Sequence, residues 1–174
     1  HALSADRARH WPHTMLATST HDNKRSEDVR NRIDVLSEMP DEWMQALTRW
    51  HGLCRSARKK LATGEAPSRA DEYLLYQTLL GALPLGGLDA TTAPAFADRI
   101  WQYMQKAARE AKLHTRWSHP DADYEAALEG FVRELLADPK EGGCLADIQR
   151  LADRLAWFGA WNSLTLTLLK YGSP

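Results

Sequence analysis

The sequence predicts an all-α protein: a compact bundle of about six helices behind one short strand-like segment near the N-terminus. Three observations carry this expectation. From Ser26 onward, apolar residues recur three and four positions apart, which is the spacing of one helix face. Pro and Gly interrupt that pattern at short intervals, as they do between neighbouring helices. Hydrophobic residues make up 44% of the 174 positions, enough to build a core.

The strand-like segment is Thr14 to Thr20, short, rich in Thr and apolar residues, and preceded by Pro12. A lone strand leaves its backbone groups unpaired, so its sheet is expected elsewhere. Ser26 followed by Glu27 and Asp28 starts the first helix, with acids where the helix dipole favours them. Val29, Ile33 and Leu36 form its stripe. Pro40 starts the second helix, whose face is Trp43, Leu47, Trp50, Cys54, Ala57 and Leu61, with Gly64 as its stop. Pro67-Ser68 precedes a third helix with Tyr73, Leu74, Tyr76, Gln77 and Leu80, ending near Pro84. Pro94 opens a fourth, faced by Phe96, Ile100, Tyr103, Met104, Ala107 and Ala111. The fifth spans Asp121 to Asp138 on Tyr124, Leu128, Phe131 and Leu135. Pro139 and Gly142-Gly143 then break the chain. The last helix carries Leu145, Ile148, Leu151, Leu155 and Phe158, and its pattern extends to Leu169 with Gly159 as the place for a kink.

Composition excludes several classes. Lys and Arg total 22 against 23 Asp and Glu, so no global charge attracts nucleic acid or anionic lipid. No apolar run approaches the roughly 20 residues that cross a bilayer, so no membrane partner is expected. No basic segment followed by an apolar stretch marks a secretory signal, and the expected location is cytoplasmic. A chain that opens on His1 and stops just past Tyr171-Gly172 reads as an excerpt of something longer. Two cysteines make no disulfide scaffold, and Cys54 and Cys144 read as buried free thiols.

The densest polar cluster is Thr20-His21-Asp22-Asn23-Lys24-Arg25, directly after the strand-like segment. Strand ends that feed loops are where α/β barrels place catalytic groups. An Asp and a His beside Lys24 suit sugar hydroxyls or a developing cation. The plainer reading is a polar turn with a helix cap, and from the residues alone it is the stronger one. His10, His13, His21 and Asp22, or His114, His119 and Asp121, match no standard zinc spacing. Neither a metal nor any other cofactor is expected. Arg55, Arg58, Lys59 and Lys60 read as a solvated basic end of the second helix. Seven tryptophans hint at carbohydrate, yet the spacing of Trp43 with Trp50, and of Trp157 with Trp161, is that of a helical core. Trp11 and Trp117 lie outside the stripes and are the better sugar-platform candidates.

The run Leu16-Ala17-Thr18-Ser19-Thr20-His21-Asp22-Asn23-Lys24-Arg25-Ser26-Glu27-Asp28-Val29-Arg30 resembles malto-oligosyltrehalose synthases of the α-amylase superfamily. Glu72 to Gly81, Arg109-Glu110-Ala111-Lys112, His114-Thr115, Trp117 and Asn162-Ser163-Leu164 extend the resemblance over nearly the whole chain. It implies a (β/α)₈ barrel with three acids at its strand ends. The His-Asp pair after the seventh strand would supply the third. Asp22 would then stabilise the transition state, with His21 and Lys24 contacting substrate. The family usually has Thr where Asn23 stands.

The family converts the reducing-end α-1,4 linkage of a malto-oligosaccharide to an α,α-1,1 linkage, a step of trehalose biosynthesis. Such retaining chemistry takes a nucleophile and an acid/base carboxyl group about 5–5.5 Å apart. Nothing in the thirteen residues before Thr14 resembles the segments that carry them. The resemblance therefore implies a fragment, inactive alone: residues 1–25 a remnant of a barrel strand and its active-site loop, residues 26–174 a helical domain. Its partners would be malto-oligosaccharide and the remainder of the barrel. The alternative is a non-catalytic helical module that binds a partner helix or serves as a scaffold.

Overall fold

The computed structural model describes residues 2–14, 17–21, 23–137 and 142–172. Among them the chain forms seven helices and one small hairpin. The helices are α1 (Ala2–His10), α2 (Glu27–Asp34), α3 (Pro40–Leu53), α4 (Arg69–Ala82), α5 (Ala93–Ala111), α6 (Ala122–Leu136) and α7 (Cys144–Gly172). The hairpin pairs β1 (Lys59–Leu61) with β2 (Gly64–Ala66), antiparallel, Lys59 opposite Ala66. The expected helical bundle is observed.

Local chemistry sets the helix starts. Ser26 caps α2, its hydroxyl accepting from the Val29 amide, and Ser68 caps α4 by accepting from Asp71 at 3.2 Å. Asp121 accepts from the Tyr124 amide at 2.9 Å and caps α6. Pro40 and Pro94 stand in the first turns of α3 and α5, where the missing N–H costs nothing.

Several expectations need correction. The second helix does not run to Leu61. It ends at Leu53, a single turn of 3-10 helix follows at Arg55–Ala57, and β1 begins at Lys59. The apolar spacing survives this change because Cys54 and Ala57 are buried through the turn itself. Gly64 marks the hairpin turn rather than a helix stop; its φ of +131° is open to glycine and strained for other residues. Arg58 is not part of a solvated basic face: its side chain is 8% exposed and paired with Glu72. Trp157 and Trp161 are not core residues; they stand on the surface of α7 with their rings edge to face. In the strand-like segment, Thr14 and residues 17–20 have no strand pairing, while Met15 and Leu16 lie outside the described residues. Among the described residues no sheet stands beside this segment to complete a ladder. The short N-terminal α1, absent from the sequence expectation, buries none of its side chains.

The core lies where α3 to α7 meet. Trp50, Tyr76, Leu79, Met104, Leu128, Phe131, Ile148 and Leu155 are fully buried there. Helix α2 closes one side by packing on α4 and α7. Two glycines permit that approach. A Cβ on Gly81 would stand 2.5 Å from Val29 Cγ1, and one on Gly159 would stand 3.0 Å from the Arg32 Cα. Gly159 is therefore a contact point within an uninterrupted α7, not a break in it. The Cys54 and Cys144 thiols meet at 2.8 Å, free and buried, as the sequence suggested.

Three buried or largely buried carboxylates, those of Glu72, Asp71 and Glu125, are each paired with neighbouring donors. Glu72 is reached by Arg58 Nη1 at 3.2 Å, the Tyr76 hydroxyl at 2.8 Å and His51 Nδ1 at 2.8 Å. Burial holds the Tyr76 phenol far above its ordinary value. Tyr124 donates to Asp71 and accepts from the Ser68 amide at 3.0 Å. Burial, then the Asp71 bond, pushes its phenol up to about 12. Glu125 receives Arg109 Nε at 2.8 Å, the Thr115 hydroxyl at 2.6 Å and Gln105 Nε2 at 3.0 Å. The Arg109 hydrogen bonds lead in lowering its carboxyl from 4.5 to about 2.

That depression has a consequence in acid. The folded value lies below the unfolded one, so the stabilisation is complete above pH 4.5 and vanishes as pH falls toward 2. Allowing for solvent screening, the loss is about 2 kcal/mol. Urea titrations at pH 5, 3.5 and 2 should show it in the natural chain. Glu125→Gln, which has no charge to lose, should be less stable at pH 5 and should lack this component of the decline. An identical decline in both would contradict the assignment.

Candidate functional site

The polar loop after residue 17 is tied down from two sides. The Thr18 hydroxyl donates to Glu27 at 2.5 Å, and Arg30 of α2 donates to the Thr18 carbonyl. Lys170 of α7 reaches the same Glu27 carboxylate at 2.8 Å, and its hydrogen bond leads in holding that carboxyl below the ordinary range. A turn then closes between Thr20 and Asn23, with the Asn23 amide on the Thr20 carbonyl at 3.2 Å and the Thr20 hydroxyl on Asn23 Oδ1 at 3.0 Å. Arg25 extends to Gln77 of α4 at 3.2 Å.

This loop faces α5 across a cleft of about 450 Å³. His21, Asn23 and Lys24 line one wall; Tyr103, Lys106 and Glu110 line the other. Lys24 Nζ stands 3.1 Å from Glu110 Oε2, with Lys106 Nζ 4.0 Å from the other oxygen. Lys24 and Glu110 are both open to solvent, so the ion pair is worth about 0–1 kcal/mol and yields readily to a polar ligand. Ammonium, phenol, imidazole, amide and carboxylate groups together offer the donors and acceptors that a polyhydroxyl ligand needs.

The structure thus brings His21 and Lys24 to one cleft. Asp22 lies outside the described residues. The sequence reading missed Tyr103, Lys106 and Glu110 as cleft residues. It placed Tyr103 on a core face and met Glu110 only inside a longer match. The signal was present: these positions recur at i, i+3 and i+7 on α5, a polar stripe beside an apolar one.

The other sequence candidates lie elsewhere. His114 stacks on Tyr124 with ring centroids 4.6 Å apart, the His119 amide closes a turn onto Arg116, and Asp121 is the α6 cap. His10 bonds back to Asp6 within α1. Among the described residues no group of three His, Cys, Asp or Glu side chains is placed to hold a metal ion. Trp117 is exposed, with the Arg109 guanidinium 4.9 Å from its ring centroid, and Trp11 is exposed beside α1. No helix among the described residues is long and apolar enough to cross a membrane.

No family profile matches the chain. Individual proteins do. Proteins assigned as maltooligosyl trehalose synthase in two strains of Mycobacterium tuberculosis are 37% identical over 139 residues, which is 80% of this chain and 16% of theirs. The solved hypothetical maltooligosyl trehalose synthase of Sulfolobus tokodaii superposes with a TM-score of 0.75 at 33% identity, covering 91% of this chain and 20% of that one. The maltooligosyltrehalose synthase of Arthrobacter ramosus gives 0.75 at 35% identity, covering 97% and 19%. The chain therefore spans between 16 and 20% of the length of these proteins. With both sequence and fold matched over most of its residues, the chain belongs to the maltooligosyl trehalose synthases as one section of such an enzyme.

Proposed function

We propose that this section follows the seventh strand of a (β/α)₈ barrel in an α-amylase-superfamily enzyme that turns a reducing-end α-1,4 linkage of a malto-oligosaccharide into an α,α-1,1 linkage. Residues 1–25 belong with the barrel, and residues 26–174 form the helical domain beside it. Asp22 stabilises the charge that develops at the sugar, while His21 and Lys24 hold hydroxyl groups. The observation that carries this reading is the cleft shared by His21, Lys24 and α5, in a chain whose relatives are named for that chemistry. Trading the weak Lys24–Glu110 pair for sugar hydroxyls releases a lysine at the cleft wall. A cytoplasmic location is part of the proposal on sequence grounds.

Retaining chemistry takes two carboxyl groups besides this stabilising acid. They are expected from the rest of the barrel, so the 174-residue chain alone should not turn over maltopentaose. The test is to place this chain in the Mycobacterium tuberculosis relative in exchange for the region that corresponds to it, of which 139 residues match. The chimera should form trehalosyl product, and Asp22→Asn should reduce kcat by at least ~10²-fold. Turnover by the isolated chain, or an Asp22→Asn chimera as active as its parent, would refute the assignment.

A further inference from the structure

The two cysteines of the chain, 90 positions apart in sequence, meet inside the bundle. Cys54 stands where α3 ends, and Cys144 is the first residue of α7. Each is 5% exposed, and their sulfurs are 2.8 Å apart. Ordinary apolar contact between heavy atoms is made at about 3.5–4.0 Å, so the sulfurs are closer than packing asks. A disulfide bond is about 2.05 Å long, so the pair closes one by moving roughly 0.8 Å. Both residues lie at element ends, outside any helix interior. Cys144 directly follows Gly142, whose φ is +88°, and Gly143. A helix end opens locally at little cost, which gives a small oxidant a path to the buried sulfurs. The hydrogen bond between the thiols leads in lowering the Cys54 thiol from its ordinary value, against the opposing effect of burial. Thiolate is the form that attacks an oxidant, which makes Cys54 the first sulfur to react.

We infer that Cys54 and Cys144 are a redox-active pair that a peroxide converts to an intramolecular disulfide, stapling the end of α3 to the start of α7. The inference is independent of the reading under Proposed function. The Cys54 thiolate attacks one oxygen of hydrogen peroxide, the O–O bond breaks, and the departing hydroxide takes a proton to become water. The Cys144 thiolate then attacks the sulfur of the Cys54 sulfenic acid, the S–O bond breaks, and a second water leaves. Two thiols thereby lose two electrons and two protons, and one peroxide becomes two waters. The bond closes a loop that carries the hairpin, α4, α5 and α6. Helix α5 supplies Tyr103, Lys106 and Glu110 to the cleft, so the staple holds the element on which that wall is built. A cross-link of this span takes conformational freedom chiefly from the unfolded chain.

The test treats the reduced 174-residue chain with hydrogen peroxide under native conditions. The thiol titre, read after denaturation, should fall from two to zero. The intact mass should fall by about 2 Da, and dithiothreitol should restore both values. The oxidised chain should stay monomeric and melt about 5 °C or more above the reduced one. Cys54→Ser and Cys144→Ser each keep one thiol, so peroxide should add about 16 or 32 Da and raise no melting temperature. The mass of the unsubstituted chain decides the matter even where a serine variant fails to fold. Two thiols still titratable after oxidation of the folded chain would overturn the inference. An irreversible gain of about 32 Da or more, or chains cross-linked into dimers, would do the same. So would a bond that forms only in urea, or one that leaves the melting temperature unchanged or lower.

Discussion

Trp50→Ala is expected to lower the stability of this chain by about 4 kcal/mol. Trp50 has no solvent exposure. Its ring meets Trp43 edge to face at 5.7 Å and Tyr76 at 5.3 Å, so alanine leaves a hole between two further aromatic rings. Its indole N–H also donates to Asp147 Oδ2 at 2.6 Å. That carboxylate keeps Arg49 at 2.6 Å and Arg150 at 2.5 Å, so the cavity and not an orphaned charge dominates the cost. For a chain of this size, the melting temperature should fall by roughly 8–16 °C. Trp50→Phe keeps most of the ring and should cost about half as much. A melting temperature within about 3 °C of the natural chain for Trp50→Ala would show that the aromatic cluster is not the centre of the core.

Glu72→Ala is expected to cost about 3–5 kcal/mol by a different mechanism. The carboxylate is 3% exposed and answers a guanidinium, that of Arg58, which is itself 8% exposed. Removing it leaves a cation buried between the 3-10 turn and α4, and strips the Tyr76 hydroxyl and His51 of their acceptor. The diagnostic is a double-mutant cycle. Glu72→Ala with Arg58→Ala should cost clearly less than the sum of the two single changes, because the second removes the stranded charge. Denaturant midpoints of the three variants decide this. Strict additivity would mean that the two groups do not interact in the folded chain.

These two residues show what was readable in the sequence and what was not. Trp50 was placed on a buried stripe by spacing alone, since a helix face repeats every three to four residues. Glu72 entered only as part of a longer resemblance, and its partner Arg58 was read as a solvated end of a helix. Nothing local distinguishes an exposed arginine from a buried one. The difference arises when α4 brings Glu72 against Arg58. The hairpin itself was hidden because Cys54, Ala57 and Leu61 continue a helical spacing through a segment that is no longer α-helical. Trp157 and Trp161 carry the opposite lesson. Their spacing proves a helix face but does not say what covers it.

The candidate site divides in the same way. His21, Asp22 and Lys24 stand in one short run, so residue order was enough to single them out. Tyr103, Lys106 and Glu110 reach the same cleft from α5, far along the chain, and only packing brings them there.

Taken alone, the order of residues settled where helices α2 to α7 start, which period they follow, and which protein family the chain matches. Those properties depend on neighbours within a few positions or on direct likeness. Folding in three dimensions decided which helix faces are buried, which charges are paired, and which side of α7 stays open. These depend on the angles and distances at which helices cross, and such quantities emerge only when distant segments compete for the same contacts.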